Sequence, residues 1–303
     1  MGLRHFLSLN DLSAAELKRI IDRAMVLKSD RQIRKLCDVM KGRVAVLVFE
    51  KNSTRTRISF ECGITQLGGN AVFMGPTESH LSRGESIEDT AQVISRMADL
   101  VVMRTGAHER IENMANSALV PVINGLTDFN HPCQLLADLQ TYIEYRGDIK
   151  GITAAWLGDG NNVCHSWMNA ARILDFQLNI ATPPGFRPNQ SLSELCRSNV
   201  MITDDPFLAV KNAQVVITDT WASMGQENER LERNMAFKPY CVDSSLMRYA
   251  HKNALFMHCL PAYRGQEVTT EVIDGPQSVV FPEAENRLHA QKALMEFLLH
   301  VND

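Results

Sequence analysis

Long apolar runs are absent from this 303-residue chain, and their absence limits the kind of protein it can be. The longest apolar stretches, such as 44–49, have the length of a strand and fall far short of the roughly 20 residues that a membrane helix needs. The opening segment MGLRHFLSLNDLS has neither a charged region followed by an apolar block nor an Arg- and Ser-rich transit pattern. The sequence therefore predicts neither a membrane span nor an N-terminal targeting segment.

The chain also has little excess of either charge and no closely paired cysteines. Lys and Arg number 31 against 35 Asp and Glu, so the net charge of −4 gives no general attraction to nucleic acid or to an anionic membrane. An anionic ligand would need a local cluster of cations. The seven cysteines lie apart without CxxC pairs, which is typical of reduced thiols. We therefore expect a cytoplasmic protein with no nucleic-acid or membrane partner.

Sequence signatures of cofactor and metal sites are missing as well. There is no GxxxxGK[ST] pattern of a P-loop, and the GDGNN turn at 158–162 lacks the GxGxxG pattern of a dinucleotide site. The nine histidines lie apart, and neighbouring pairs such as His258 and Cys259 lack the second pair of ligands that a zinc site needs. The sequence therefore predicts neither a cofactor nor a metal.

What the chain does contain is an alternation of short apolar runs with amphipathic segments. The runs of strand length are 44–49, 71–74, 100–104, 120–123, 153–157, 178–181, 200–202, 215–218 and 255–258. The helical patterns include 13–28, 86–97, 134–145 and 283–299. Two such series predict an α/β protein with two doubly wound parallel-sheet domains. The boundary is expected near RGDIKG at 146–151, which interrupts a helix.

The strongest chemical signal is FEKNSTRTRISF at 49–60. A strand ends at Phe49 and a helix is predicted to begin near Ser53, which places hydroxyls and backbone N–H groups at the positive end of a helix. Arg55 and Arg57 add guanidinium groups, whose planar fork matches phosphate oxygens. A capped helix with solvated arginines would give the same pattern. The residues alone leave both interpretations open.

Three more candidates follow predicted strands, where doubly wound sheets bind their ligands. Arg104 follows LVVM, His131 opens a helix in HPCQ, and Cys259 lies in HCLPA after LFM. The histidine could donate a hydrogen bond to a carbonyl oxygen, and the thiol could face a crevice. Each also has a structural interpretation, respectively as a surface arginine, a capping histidine and an inert core cysteine.

Seven separated motifs stand out along the chain: STRTR at 53–57, VVMRTG around Arg104, HPCQLLADLQT at 131–141, GDGNN at 158–162, DTWASMG at 219–225, HCLPA at 258–262 and AENRLHAQKALM at 284–295. Taken together, they resemble those of the ornithine carbamoyltransferases. The motifs follow the family order over nearly the whole chain. STRTR and HPxQ are shared with aspartate carbamoyltransferases, whereas the SMG and HCLP motifs are more specific to the ornithine branch.

The resemblance implies the carbamoyltransferase fold and its reaction. It implies a carbamoyl phosphate-binding domain at 1–146, an ornithine-binding domain at 147–284, interdomain helices, and a C-terminal helix at 285–303 that packs back on the first domain. The expected enzyme transfers the carbamoyl group of carbamoyl phosphate to the δ-amine of ornithine, giving citrulline and phosphate in arginine biosynthesis or catabolism. It is expected to be a homotrimer, or a multiple of trimers, with active sites shared between subunits.

The resemblance also implies the residues of the two substrate sites. Those expected to bind carbamoyl phosphate are Ser53, Thr54, Arg55, Thr56, His80, Arg104, His131, Gln134, Cys259, Leu260 and Arg287. Those expected to bind ornithine are Asn162, Asp219, Ser223 and Met224. The catalytic residues among them would be Cys259, His131, Arg104 and Arg55.

Several of these residues have an implied chemical role. His131 would polarise the carbamoyl carbonyl, Asp219 would pair with the α-ammonium of ornithine, and Cys259 would accept a proton from the attacking amine. His80 departs from the family pattern because it stands in SHLSRGE where the family usually has a glutamine, donated by a neighbouring subunit.

Two alternatives to ornithine carbamoylation remain open at this point. One is another acceptor: aspartate would call for cations in the loop after Asp219, where WASMGQEN has none, putrescine has no head carboxylate for the SMG loop, and an acylated ornithine would need a larger or more apolar pocket. The other is a catalytically silent regulatory relative. Such a protein would be expected to lose Arg55, His131 or Cys259, and all three are present.

Overall fold

A computed structural model of the chain describes residues 3–33, 35, 37–79, 81, 84–222 and 229–300. The chain divides into two compact units, Met1–Gln140 with Glu285–Asp303, and Thr141–Ala284. Each unit contains one parallel sheet, so the predicted α/β class with two parallel sheets is confirmed. No helix within the described ranges is both long enough and apolar enough to span a membrane.

The first unit is built on a four-stranded parallel sheet with the order β2-β1-β3-β4. Its strands are β1 (Val44–Phe49), β2 (Asn70–Met74), β3 (Leu100–Arg104) and β4 (Val122–Leu126). The helices that lie wholly or mostly in this unit are α1 (Ala14–Gln32), α2 (Thr54–Gln66), α3 (Ile87–Ile94), α4 (His108–Ser117), α5 (Pro132–Arg146) and α12 (Val280–His300). The strand order reverses between β1 and β3, so the carboxyl ends of these two strands form the crevice where such sheets bind ligands.

The second unit is built on a five-stranded parallel sheet with the order β7-β6-β5-β8-β9. Its strands are β5 (Thr153–Leu157), β6 (Gln177–Ala181), β7 (Val200–Thr203), β8 (Val215–Thr218) and β9 (Leu255–His258). Its helices are α6 (Asn162–Leu174), α7 (Gln190–Leu195), α8 (Pro206–Val210), α9 (Arg230–Phe237), α10 (Ser244–Met247) and α11 (Thr270–Ile273). Here the strand order reverses between β5 and β8.

The central strands consist mostly of buried apolar residues because both faces of the sheet are covered there. Every residue of the inner strands β3 and β8 is buried, and so is every residue of the edge strand β9, which explains why these runs show no polar alternation. The edge strand β2 is different, since its residues are at most half-buried. The pattern of continuous apolar runs therefore identified the inner strands directly.

The start of α1 follows the sequence prediction closely. The Ser13 side chain accepts a hydrogen bond from the Glu16 backbone N–H, and the Glu16 carboxylate accepts one from the Ser13 N–H, which makes a capping box. A hydrogen bond from Arg4 and these capping bonds lower the pKa of Glu16 to about 2. The helix predicted over 13–28 is therefore confirmed as α1.

The predicted fourth strand was wrong in its position. The run 120–123 indicated a strand, whereas β4 spans Val122–Leu126. The carbonyl of Pro121 accepts a hydrogen bond from Val101 N, but Pro121 has no N–H to donate to the sheet. Regular pairing with β3 therefore begins with Val122. Asn124 is polar and Gly125 has no side chain, so the apolar pattern did not indicate the second half of the strand. Two predicted helices also shift: 86–97 becomes Ile87–Ile94, and 283–299 becomes Val280–His300.

His289 on α12 makes a testable contribution to stability. It is fully buried, and its pKa is lowered to about 4 by burial first and then by the charge of Lys292, although Glu285 opposes the shift. The unfolded chain therefore binds a proton near pH 6.5 that the folded chain does not bind until about pH 4. Acid in this interval favours unfolding. When the pH is lowered from 6.5 to about 4, we expect the thermal unfolding midpoint to fall less in H289L than in the unchanged protein. An equal fall in both proteins would contradict this assignment.

Candidate active site

The N-terminus of α2 lies just beyond the end of β1 and is built to hold an anion. Ser53 has an extended backbone, so α2 begins at the next residue. Its Oγ accepts a hydrogen bond from Thr56 N at 3.3 Å and donates one to Thr56 Oγ1 at 3.0 Å. The first turn, TRTR, has no acidic residue, and its Thr54 and Arg55 side chains are exposed. The helix dipole, the remaining first-turn N–H groups and the guanidinium therefore present positive charge at one strand end.

Arg104 lies at the same edge of the sheet. It is the last residue of β3 and is in register with Phe49, and its carbonyl accepts a hydrogen bond from Glu50 N at 2.9 Å. The residue is only 7% exposed, which is unusual for an arginine and contradicts its interpretation as a surface residue. Its charge is thus placed at the reversal point between β1 and β3.

Arg287 ties three elements of the first unit together. This buried residue of α12 donates from Nη1 to Gln134 Oε1 at 2.7 Å and from Nη2 to Thr56 Oγ1 at 3.4 Å. Gln134, near the start of α5, in turn donates from Nε2 to Asp138 Oδ1 at 2.8 Å. The predicted residues of α2, α5 and α12 are therefore joined by hydrogen bonds.

His131 lies within the electrostatic range of three arginines. It immediately precedes α5 and is buried, and its pKa is held well below its usual value by burial first and then by the charges of Arg287, Arg104 and Arg55. The imidazole is therefore neutral near pH 7, and it can donate one N–H to a carbonyl oxygen. We call Ser53, Arg55, Arg104, His131 and Arg287 the anion cluster.

In the second unit, Asp219 is the centre of a hydrogen-bond network. This residue follows β8 and is 9% exposed, and its Oδ1 accepts from Cys259 Sγ at 3.1 Å and from Thr220 N at 2.7 Å. Its Oδ2 accepts from Asn161 Nδ2 at 2.9 Å. The structure therefore brings two predicted residues, Asp219 and Cys259, into direct contact. It places them at the ends of the neighbouring strands β8 and β9.

Asn161 is a site residue that the sequence interpretation missed. Its side-chain oxygen caps α6 by accepting from Val163 N at 2.9 Å and Cys164 N at 3.1 Å, while its amide N–H₂ contacts Asp219. The predicted neighbour, Asn162, is the first residue of α6 and is half-buried. Asn at the position before a helix is a common cap, so GDGNN did contain the signal for this role.

The HCLPA segment is held by a buried histidine and a buried glutamate. His258 Nδ1 accepts from Leu260 N at 2.9 Å, so its other nitrogen carries the proton and donates to Glu267 Oε1 at 3.1 Å. The same carboxylate oxygen accepts from Tyr263 N at 2.6 Å. These bonds fix the backbone that follows Cys259. The sequence analysis did not single out Glu267, because its partner His258 lies nine positions earlier in the chain.

Among the described residues, Asp219, His258 and Cys259 bring potential metal ligand atoms within 4.8 Å of one another. Both nitrogens of His258 are already engaged in the hydrogen bonds to Leu260 and Glu267. To bind zinc, His258 would need a free lone pair on one of these two ring nitrogens. The three residues therefore serve the hydrogen-bond network, and the prediction of no metal remains a prediction.

The predicted residues fall into two groups, one in each unit. The first unit holds Ser53, Thr54, Arg55, Thr56, Arg104, His131, Gln134 and Arg287, and the second holds Asn162, Asp219, Cys259 and Leu260. His80, Ser223 and Met224 lie outside the described residues. Their roles remain predictions.

Comparison with known proteins gives a consistent result over the whole chain. Residues 4–144 match a family model described as the carbamoyl-P binding domain of aspartate/ornithine carbamoyltransferase, and residues 150–298 match its Asp/Orn binding domain. The ornithine carbamoyltransferase of Methylococcus capsulatus is 56% identical over 299 residues, covering 99% of each protein.

Solved structures agree with the sequence matches. The ornithine carbamoyltransferase of Burkholderia thailandensis superposes with a TM-score of 0.91 at 49% identity, covering 98% of this chain and 99% of that one. The enzyme of Pyrococcus furiosus gives a TM-score of 0.93 at 45% identity, with 96% of each chain covered.

Proposed function

The chain belongs to the aspartate/ornithine carbamoyltransferase family, and on this premise we propose that it transfers the carbamoyl group of carbamoyl phosphate to the δ-amine of L-ornithine. The products are L-citrulline and phosphate. The observation that carries the proposal is the anion cluster, in which three arginine charges act on one neutral histidine.

Carbamoyl phosphate binds to the first unit in this proposal. Its phosphate lies at the N-terminus of α2, where Ser53, Thr54, Arg55 and Thr56 surround it and Arg104 adds charge. His131 and Gln134 contact the carbamoyl end, with Arg287 holding Gln134 in place. A neutral His131 donates to the carbonyl oxygen and stabilises the negative charge that develops there when the carbon is attacked. His80, Cys259 and Leu260 complete this set by resemblance.

Ornithine binds to the second unit. Asp219 pairs with the α-ammonium, the amide of Asn162 donates to the α-carboxylate, and the resemblance adds Ser223 and Met224. The Cys259 sulfur lies 3.1 Å from Asp219 Oδ1, and in its thiolate form it accepts the proton that the attacking amine loses.

The chemical step needs no covalent enzyme intermediate. The neutral δ-amine attacks the carbamoyl carbon, a C–N bond forms, and the bond from carbon to the phosphate oxygen breaks. The amine proton passes to the Cys259–Asp219 pair, and phosphate leaves on the arginine side. Catalysis then comes from charge stabilisation at the anion cluster and from removal of one proton.

We extend the proposal to the organisation of the protein. Residues 1–146 form the carbamoyl phosphate-binding domain, 147–284 the ornithine-binding domain, and 285–303 a helix that packs on the first domain. The protein is a cytoplasmic homotrimer, or a multiple of trimers, with shared active sites. None of the cysteines in the described residues forms a disulfide, which supports a reducing compartment. Light scattering on the active protein should give a multiple of three chains, and an active monomer would contradict the shared sites.

A citrulline assay tests the proposed reaction. The purified protein is given carbamoyl phosphate with L-ornithine, putrescine, N-acetylornithine or L-aspartate, and the carbamoylated product is identified by mass. We expect product with ornithine. Product with another amine but not ornithine would replace the proposed acceptor. No product with any amine would favour the silent relative.

A further inference from the structure

Arg233 on α9 is a buried cation that the proposed reaction does not use. Its side chain is 8% exposed. Nη1 donates to Asp159 Oδ2 at 2.7 Å and to the Trp221 carbonyl at 3.0 Å, and Nε donates to Glu229 Oε2 at 2.9 Å. The guanidinium carbon also lies 5.0 Å from the centre of the Phe186 ring. A charge this buried is retained only where its partners compensate it.

Two partners of Arg233, Asp159 and Trp221, belong to the strand ends that carry the residues proposed to bind ornithine. Asp159 lies just after β5, in the turn that leads to Asn161, and Trp221 lies just after Asp219 at the end of β8. The strand order of this sheet reverses between β5 and β8. The side chain of Arg233 therefore bridges the two segments that border the ligand-binding edge.

These contacts close a ring of hydrogen bonds. Arg233 donates to Asp159, which lies two residues before Asn161. Asn161 donates to Asp219 at 2.9 Å, and the carbonyl of Trp221, two residues after Asp219, accepts from Arg233. The backbone of Asp159 is fixed independently, since its carbonyl accepts from Trp156 Nε1 at 3.0 Å. The ring links the turn that leads to Asn162 with the carboxylate of Asp219.

We propose that Arg233 is a positioning residue for the acceptor amino acid, one that sets the spacing between the groups for its α-carboxylate and its α-ammonium. The inference rests on the proposed function. Burial raises the pKa of Asp159, and the Arg233 charge opposes that shift. Loss of Arg233 would leave a carboxylate buried without its cation, so the turn before Asn162 would rearrange.

The test compares R233A and R233K with the unchanged protein. We expect R233A to raise KM for ornithine by about tenfold to a hundredfold, with kcat and KM for carbamoyl phosphate changed far less. R233K should lie between, because an ammonium keeps the charge but cannot reach three acceptors with a planar fork. L-norvaline, which has the head group of ornithine without the δ-amine, should show the same rise in its inhibition constant, because it reports head-group binding alone.

Two further variants act as controls. E229Q removes the charge of a partner whose side chain is 58% exposed and should change ornithine binding little. K150A removes one partner of the exposed pair Lys150–Asp175 in the same unit and should match the unchanged protein. If R233A does not fold, R233K carries the test. Wild-type constants for both ornithine and norvaline in R233K would overturn the inference.

The result separates this inference from the proposed function. If the unchanged protein forms no citrulline, the proposed function fails. If it forms citrulline and the Arg233 variants bind ornithine and norvaline normally, only the positioning role fails. An equal loss for both substrates would also overturn it, because that outcome indicates a general structural defect.

Discussion

Replacing Arg55 by alanine is expected to lower kcat/KM for carbamoyl phosphate by about a hundredfold or more. The exposed guanidinium lies in the first turn of α2, where it adds a full charge to the helix dipole and can form two parallel hydrogen bonds to phosphate. Losing one donor that stabilises developing charge typically costs a factor of about 10² to 10³. Initial-rate kinetics with varied carbamoyl phosphate measure the effect, and inhibition by inorganic phosphate should weaken in parallel.

Arg57 provides a matched control on the same helix. Its Nε is 3.0 Å from Glu61 Oε1, and its guanidinium carbon lies 3.6 Å from the centre of the Phe73 ring. These contacts account for it without a ligand, so R57A should retain nearly full activity. If R55A and R57A both behave as the unchanged protein does, the phosphate does not bind at this helix end.

Replacing Asp219 by asparagine is expected to lower kcat/KM for ornithine by about a hundredfold to a thousandfold. The amide keeps the shape of the side chain but removes the negative charge for the α-ammonium. It also turns one acceptor oxygen into a donor, so one of the bonds from Cys259 and Asn161 is lost. Steady-state kinetics with varied ornithine measure the loss. KM for carbamoyl phosphate should stay close to that of the unchanged protein.

The control for this substitution is D274N. Asp274 accepts from Arg264 in the same unit, but both side chains are nearly half exposed, so removing the charge should have little effect. The pH profile of D219N gives a second readout, because the Cys259–Asp219 pair is the proposed proton acceptor. An unchanged ornithine KM in D219N would exclude Asp219 as the partner of the α-ammonium.

Local patterns predicted much of the fold and part of the anion cluster. The run before Phe49, the cap at Ser53 and the charge at Arg55 are all contained within one short segment, so strand, helix start and candidate ligand were visible together. Arg104 and Cys259 were found because each directly follows an apolar run. The position of β4 was wrong because Pro121 and the polar Asn124 broke the pattern.

The contacts between these segments were not visible in the same way. Gln134 and Arg287 are hydrogen-bonded although 153 positions separate them in the chain. Arg233 and Asp159 are 74 positions apart, and Cys259 and Asp219 are 40 apart. No local signal marks Arg233 as buried, since half of the residues of α9 are polar and half are exposed. Sequence reasoning therefore found the candidate residues but missed Asn161, Glu267 and Arg233, which hold parts of the second group in place.

The sequence by itself determined the alternation of strands and helices, the caps at Ser13 and Ser53, and the residue types at the strand ends. These features depend on hydrophobic periodicity and on hydrogen bonds between near neighbours, which a short segment contains in full. Only the tertiary structure decided that three arginine charges act on His131 and that Arg233 closes a ring around Asp219. Strand order and helix packing bring those groups together, and no local pattern encodes either of them.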